Sequence, residues 1–185
     1  VWAIKLNASV TKGTDWHATD YTDEDTHPLN AANRGNIETN PSYDGVNIYG
    51  DEIATTLDLD AITGSPVGTF GNIRVARTGY REEDLTDYSA EQVKADASLH
   101  YRATNDLEII GTYKIGLGKT LFQGANRYNF RNLYMQQAKL EAKGSNYFLR
   151  AYANLENSGQ SYDMRFAAWN INRYEKSDSD WFTEY

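Results

Sequence analysis

From residue 93 to residue 103 the chain alternates without a break. Val93, Ala95, Ala97, Leu99 and Tyr101 hold the odd positions, and Lys94, Asp96, Ser98, His100 and Arg102 the even ones. A period of two puts these sets on opposite faces of a strand, one apolar and one wet. Thr104, Asn105 and Asp106 follow, residue types that favour tight turns. Leu107, Ile109, Gly111, Tyr113, Ile115 and Leu117 then resume the apolar set, opposite Glu108, Thr112 and Lys114. This spacing predicts a hairpin with long arms. A second one recurs further on, where Tyr134, Ala138, Leu140 and Ala142 oppose Gln137, Lys139, Glu141 and Lys143. After a turn at 144–146, Tyr147, Leu149, Ala151, Ala153 and Leu155 oppose Arg150, Tyr152, Asn154 and Glu156. Near the start, Trp2, Ile4, Leu6, Ala8 and Val10 oppose Lys5, Asn7, Ser9 and Thr11.

Each run is ~10 residues, the length that crosses a bilayer as a tilted strand, against ~5–6 in an ordinary globular strand. The segments 13–51, 118–133 and 157–185 read as long polar loops, whereas 104–106 and 144–146 are short. Short turns on one side and long loops on the other are the organisation of outer-membrane barrels, with the short turns toward the periplasm. The stretches 52–62 and 73–78 also alternate; strand direction requires both or neither, which gives five or seven strands. The expected fold is all-β, a segment of a transmembrane antiparallel β-barrel with long extracellular loops. An open edge in lipid costs several kcal/mol per unsatisfied backbone group. Residues 1–185 therefore read as one partial-barrel domain whose neighbouring strands lie outside this segment. The main alternative is a soluble, secreted β-sandwich that binds carbohydrate, which alternates in the same way. Strand length, charged wet faces and small apolar-face residues (Ala95, Ala97, Ala151, Ala153) weigh against it, because small residues make a poor close-packed core.

Composition sharpens the picture. Among 185 residues there are 14 Tyr and 4 Trp but 3 Pro, and mean hydropathy is −0.69. Disordered polar chains are poor in aromatics; a barrel with a wet inner face is not. A net charge of −8 without a clear Lys/Arg cluster excludes a nucleic-acid surface. The absence of cysteine removes disulfides and thiolate metal sites. No apolar run approaches the ~18 residues of a membrane helix.

Motifs for catalysis do not assemble. Gly116, Gly118, Lys119 and Thr120 resemble the end of a phosphate loop, but Tyr113 stands where its first glycine belongs and no helix pattern follows. His17, His27 and His100 share no metal-ligand spacing. Asp20, Asp23 and Asp25 are weak candidates for Ca²⁺, lacking the glycine and glutamate of a calcium loop. Asp58 and Asp60 share a face without further signs of acid/base chemistry. The chain reads as non-enzymatic, with no cofactor. The wet-face residues Lys94, Asp96, His100, Arg102, Arg150, Asn154 and Glu156 are candidates to line a lumen or meet a plug. Phe122, Tyr128, Phe130, Trp169, Tyr174 and Trp181 are candidates for extracellular ligand contact, as aromatic platforms in the long loops.

Several separated strings carry a resemblance: DGVNIYGDEI at 44–53, IRVARTGY at 73–80, Gln136 with Gln137, Ser161 to Asp163 in sequence, RFAAWNIN at 165–172 and DWFTEY at 180–185. Together they resemble the early barrel of Bacteroidetes TonB-dependent outer-membrane receptors of the SusC-like type. That resemblance implies a barrel of about 22 strands, of which this chain supplies roughly a quarter, in the bacterial outer membrane. It also implies a plug domain coupled to TonB, a SusD-like surface lipoprotein as a partner, and surrounding outer-membrane lipid. The implied activity is import of a nutrient of the glycan, peptide or siderophore type.

Overall fold

The computed structural model describes residues 1–24, 27–29 and 35–185. Along the chain run β1 (Trp2–Thr14), β2 (Ile48–Tyr49), β3 (Ala54–Asp58), α1 (Leu59–Thr63), β4 (Asn72–Ala76), β5 (Tyr80–Arg81) and α2 (Glu82–Leu85). They are followed by β6 (Ser89–Arg102), β7 (Leu107–Gln123), β8 (Arg127–Gly144), β9 (Phe148–Asn157), β10 (Tyr162–Asp163), α3 (Met164–Glu175) and α4 (Asp178–Glu184). Strand accounts for 51% of the described residues, so the β character expected from the alternation is present. Contacts divide the chain into two compact units, 1–15 with 88–162 and 16–87 with 163–185.

The first unit is an antiparallel sheet in the order β1-β6-β7-β8-β9. Its register is regular across all five strands at the level of the alternating runs. One row reads Leu6, Ala97, Tyr113, Ala138, Ala153, and the row beside it reads Asn7, Asp96, Lys114, Gln137, Asn154. The Thr104 hydroxyl accepts from the Asp106 N–H at 3.2 Å, and Ala103 N–H bonds Leu107 C=O at 2.9 Å, closing the first turn. Gly144 N–H bonds Tyr147 C=O at 2.8 Å at the second.

Three expectations change. The segment 118–133 is not a long loop: β7 and β8 run on for 17 and 18 residues and close at 124–126. The alternation had been hidden by a bulge. Pairing slips between Gly118 and Thr120, and Asn132 on the opposite strand takes a left-handed φ of 55°. One extra residue in β8 reverses which of its positions share a face with β7. Second, 52–62 and 73–78 supply β3 and β4, which pair with each other in a separate two-stranded sheet. The long strands therefore number five. Third, 157–185 is largely helical, holding α3 and α4.

The second unit has a small core of Ala18, Tyr43, Ile48, Tyr49, Val75, Ala76, Met164 and Ala168. Asp163 caps α3, accepting from the N–H groups of Arg165 (2.9 Å) and Phe166 (3.3 Å). Helix α3 comes close to the chain after β2 because Gly50 has no side chain there. A Cβ would lie 3.2 Å from that of Ala168, and φ is +105°. Glu52 then fastens the approach: it accepts from the Trp169 indole at 2.8 Å and pairs with Arg165 at 2.8 Å. Asp60 pins the loop that follows α1, accepting from the N–H groups of Gly68 (2.6 Å) and Phe70 (2.7 Å).

Candidate functional site

The regular register makes two continuous faces on the long sheet. Lys94, Asp96, His100, Arg102, Arg150, Asn154 and Glu156 all fall on one of them. Lys94, Asp96, Asn154 and Glu156, with Asn7, Lys114 and Gln137, line a trough of about 500 Å³. Gly116 leaves its middle bare, since nothing lies within 4 Å of where its Cβ would be. Polar side chains bridge adjacent strands within this face. Asn7 donates to Asp96 at 2.7 Å, Gln137 to Asn154 at 2.9 Å, and Ser98 meets Thr112 at 3.1 Å. Arg150 is ion-paired with Glu141 at 2.5 Å, and the His100 ring nitrogen meets Glu108 at 3.0 Å. The trough thus offers donors and acceptors of both signs, suited to a hydrated path or a polar protein surface and poorly suited to selecting one ion.

The opposite face is open and, between the Trp2 row and the Val10 row, apolar but for Gln136, which accepts from the Tyr113 hydroxyl; beyond the Val10 row lies a charged row of Lys12, Glu91 and Lys119. Ile4 is 71% exposed, Leu6 72%, Leu140 59% and Leu149 73%, far above what a packed core allows. At the end of this face nearest the short turns, Trp2 stacks on Tyr101 with centroids 4.3 Å apart.

The six aromatic candidates do not form one set. Phe122, Tyr128 and Phe130 belong to the β7–β8 ladder, with Phe122 5.9 Å from Phe130 and 6.3 Å from Tyr128. The bulge explains their grouping: above it Tyr128 pairs with Phe122 and Phe130 with Thr120, so these even positions of β8 join the polar-face side. Trp169 and Tyr174 lie on α3 and Trp181 on α4. Trp169 is held by Glu52 and edge-on to Phe166 at 5.0 Å, whereas Tyr174 is 90% exposed. Asp20 accepts from the Thr22 hydroxyl (2.7 Å) and N–H (3.0 Å), bonds that hold its carboxyl below the usual range. Asp23 accepts from the Asn40 amide at 2.6 Å. Asp25 lies outside the described residues. Among the described residues no three His, Asp or Glu side chains are grouped to hold a metal.

Sequence reading missed a cavity of about 170 Å³ in the second unit, lined by Asn40, Tyr43, Asp51, Arg77, Trp181 and Tyr185 among others. Arg77 is buried, with both terminal nitrogens engaged and its Nε–H without a partner among the described residues. It donates to Asp178 at 2.7 Å and to the carbonyls of Asn172 (2.9 Å) and Lys176 (2.8 Å), and its guanidinium lies over Trp181 at 5.6 Å. Burial pushes the Asp178 carboxyl up, but the Arg173 and Arg77 guanidinium groups outweigh it and hold the group below its ordinary value. Buried charges on irregular backbone leave no periodic trace, so no pattern in the sequence marks them.

Comparison with known proteins finds no matching family, no matching curated protein and no matching solved structure.

Proposed function

We propose that this chain is part of the β-barrel of an active outer-membrane transporter, a TonB-dependent receptor that takes up a nutrient of the glycan, peptide or siderophore type. One observation carries the reading: a face over five adjacent strands that is apolar apart from Gln136 and open over most of its area, backed by an equally continuous polar face. Soluble monomers rarely expose apolar patches beyond several hundred Å², and lipid is the solvent that suits this one. From Trp2 to Val10 the apolar positions of β1 extend ~27 Å along the strand at ~3.4 Å per residue. At a tilt of ~40° that is ~20 Å of height, comparable with the ~25 Å lipid band of such barrels. The Trp2–Tyr101 stack fits an interfacial girdle at the short-turn end. The outer edges of β1 and β9 would continue into the rest of the barrel, and the polar trough would face lumen and plug. Among the described residues no helix is long and apolar enough to cross a membrane, which says nothing of crossing by strands.

The test is the native polypeptide itself. Peptide mapping of detergent-extracted outer membranes is expected to recover these residues within a much longer chain, with peptides on both sides. Recovery of a free 20.9 kDa chain without detergent would sink the proposal. The secreted carbohydrate-binding β-sandwich would then become the better reading.

A further inference from the structure

The second unit buries a carboxylate that its own fold does not satisfy. Asp51 is 1% exposed; its Oδ2 accepts from Gly45 N–H at 2.9 Å, while its Oδ1 has no hydrogen-bond partner. Buried ions normally keep a counter-charge or a full set of hydrogen bonds. Here the surroundings add to the strain. Burial first, and then the neighbouring carboxylates of Asp44 and Glu52, push the Asp51 group up to about 7. The wall of the adjoining cavity supplies Arg77, whose two terminal nitrogens are already bound to Asp178 and two carbonyls, while its Nε–H is, like Asp51 Oδ1, without a hydrogen-bond partner among the described residues. Apart from Arg77, no cationic side chain among the described residues lines the cavity.

We propose that this cavity binds a primary ammonium group carried on a short apolar stem, with Asp51 as its anionic partner and the rings of Tyr43, Trp181 and Tyr185 around the stem. Aromatic faces attract cations, and Arg77 over Trp181 shows the same attraction within the cavity wall. A hard metal ion fits less well, because it takes about six or more oxygen ligands and no group of three ligating side chains occurs among the described residues. An anion would face Asp51 in the wall, with Asp44 close behind it. The volume of about 170 Å³ admits a four-carbon amine, or the equivalent of about five waters at ~30 Å³ each. The ammonium could arrive as a free amine or as the tip of a lysine side chain in a peptide. This site is independent of whether the sheet lies in a membrane.

Protonation of Asp51 should control it. The charged and titratable groups around this site are Asp44, Glu52, Arg77 with its partner Asp178, Tyr43 and Tyr185; Tyr43 in turn feels Asp23, Asp20 and Arg81. Glu52 is neutralised by Arg165. Calorimetric titration of the intact polypeptide with n-butylammonium chloride, at about pH 8 and about pH 5.5 and constant ionic strength, tests the idea. Saturable binding is expected at the higher pH, weakening ~30-fold at the lower as Asp51 takes up a proton. n-Butanol, the neutral counterpart, should not bind. D51N, whose amide oxygen still accepts from Gly45, should abolish binding at both pH values. Equal binding of the alcohol, or of the amine at both pH values, overturns the proposal, and both comparisons need no variant. Binding by folded D51N equal to that of the native protein overturns it too. A capped lysine tripeptide run in parallel identifies the source: tighter binding than n-butylammonium assigns the site to a peptide, weaker binding to a free amine.

Discussion

The two units are held together by opposite means. In the sheet, backbone groups satisfy one another along the ladders, and few of its residues are buried, Tyr88 and Leu121 being its buried hydrophobics. Its side chains are left free to face two different surroundings. In the second unit much of the backbone is irregular, and buried side chains must satisfy it: Asp51, Asp60, Arg77, Glu82 and Asn172 are all buried. Irregular backbone demands such partners wherever water is excluded. The sheet can therefore change its side chains row by row, whereas each polar staple of the second unit is tied to a particular turn.

The largest effect that would sharpen this contrast comes from Asp51. Its group titrates near 7 in the fold and near 3.8 when unperturbed, so the folded chain holds the extra proton between those values. Stability should then fall as pH rises from ~4 to ~7, by ~4 kcal/mol in all, and D51N should flatten that slope. Denaturant titrations at a series of pH values, followed by tryptophan fluorescence, would read it; an unchanged slope in D51N would show that the cost lies elsewhere. Next comes Ala97, mid-row on the apolar face. Ala97→Arg should cost ~2–4 kcal/mol in a lipid bilayer, while Gln137→Arg on the polar face should stay within ~0.5 kcal/mol. Equal costs, measured by unfolding the whole barrel from vesicles, would break the comparison between the faces. The smallest effect is Asp163→Ala, which removes the α3 cap and should cost ~1 kcal/mol, visible as a lowered melting temperature of the second unit. No change there would mean the helix end is held by packing instead.

Much of the sheet was legible in the sequence and little of the second unit was. β1, β6, the lower half of β7 and β9 announce themselves because apolar and ionisable residues alternate in phase. β8 was readable from Tyr134 onward but not before it. The bulge at Asn132 switches faces, so Phe130 and Tyr128 keep the even parity of Tyr134 but lie on the polar-face side, where the sequence makes them look like loop aromatics. β3 and β4 were visible as alternation, yet periodicity does not say which strand a strand will pair with. Of the candidate residues, the wet-face set does share a face, because a period of two requires it. Asp51 and Arg77 stayed hidden because their importance depends on burial among segments distant in sequence: Arg77 meets Asn172 and Asp178 at separations of 95 and 101 residues.

The path of the chain through the sheet also has a kinetic side. β6, β7, β8 and β9 follow one another through turns of a few residues, so each can zip onto the last as a local hairpin. β1 cannot, because its partner β6 begins only at Ser89, after the whole of 15–88. Closing that span rather than a four-residue turn costs ~2–3 kcal/mol more in chain entropy. Of the pairings in this sheet, β1 with β6 therefore carries the largest closure cost, and until it forms the four-strand meander has an open edge at β6.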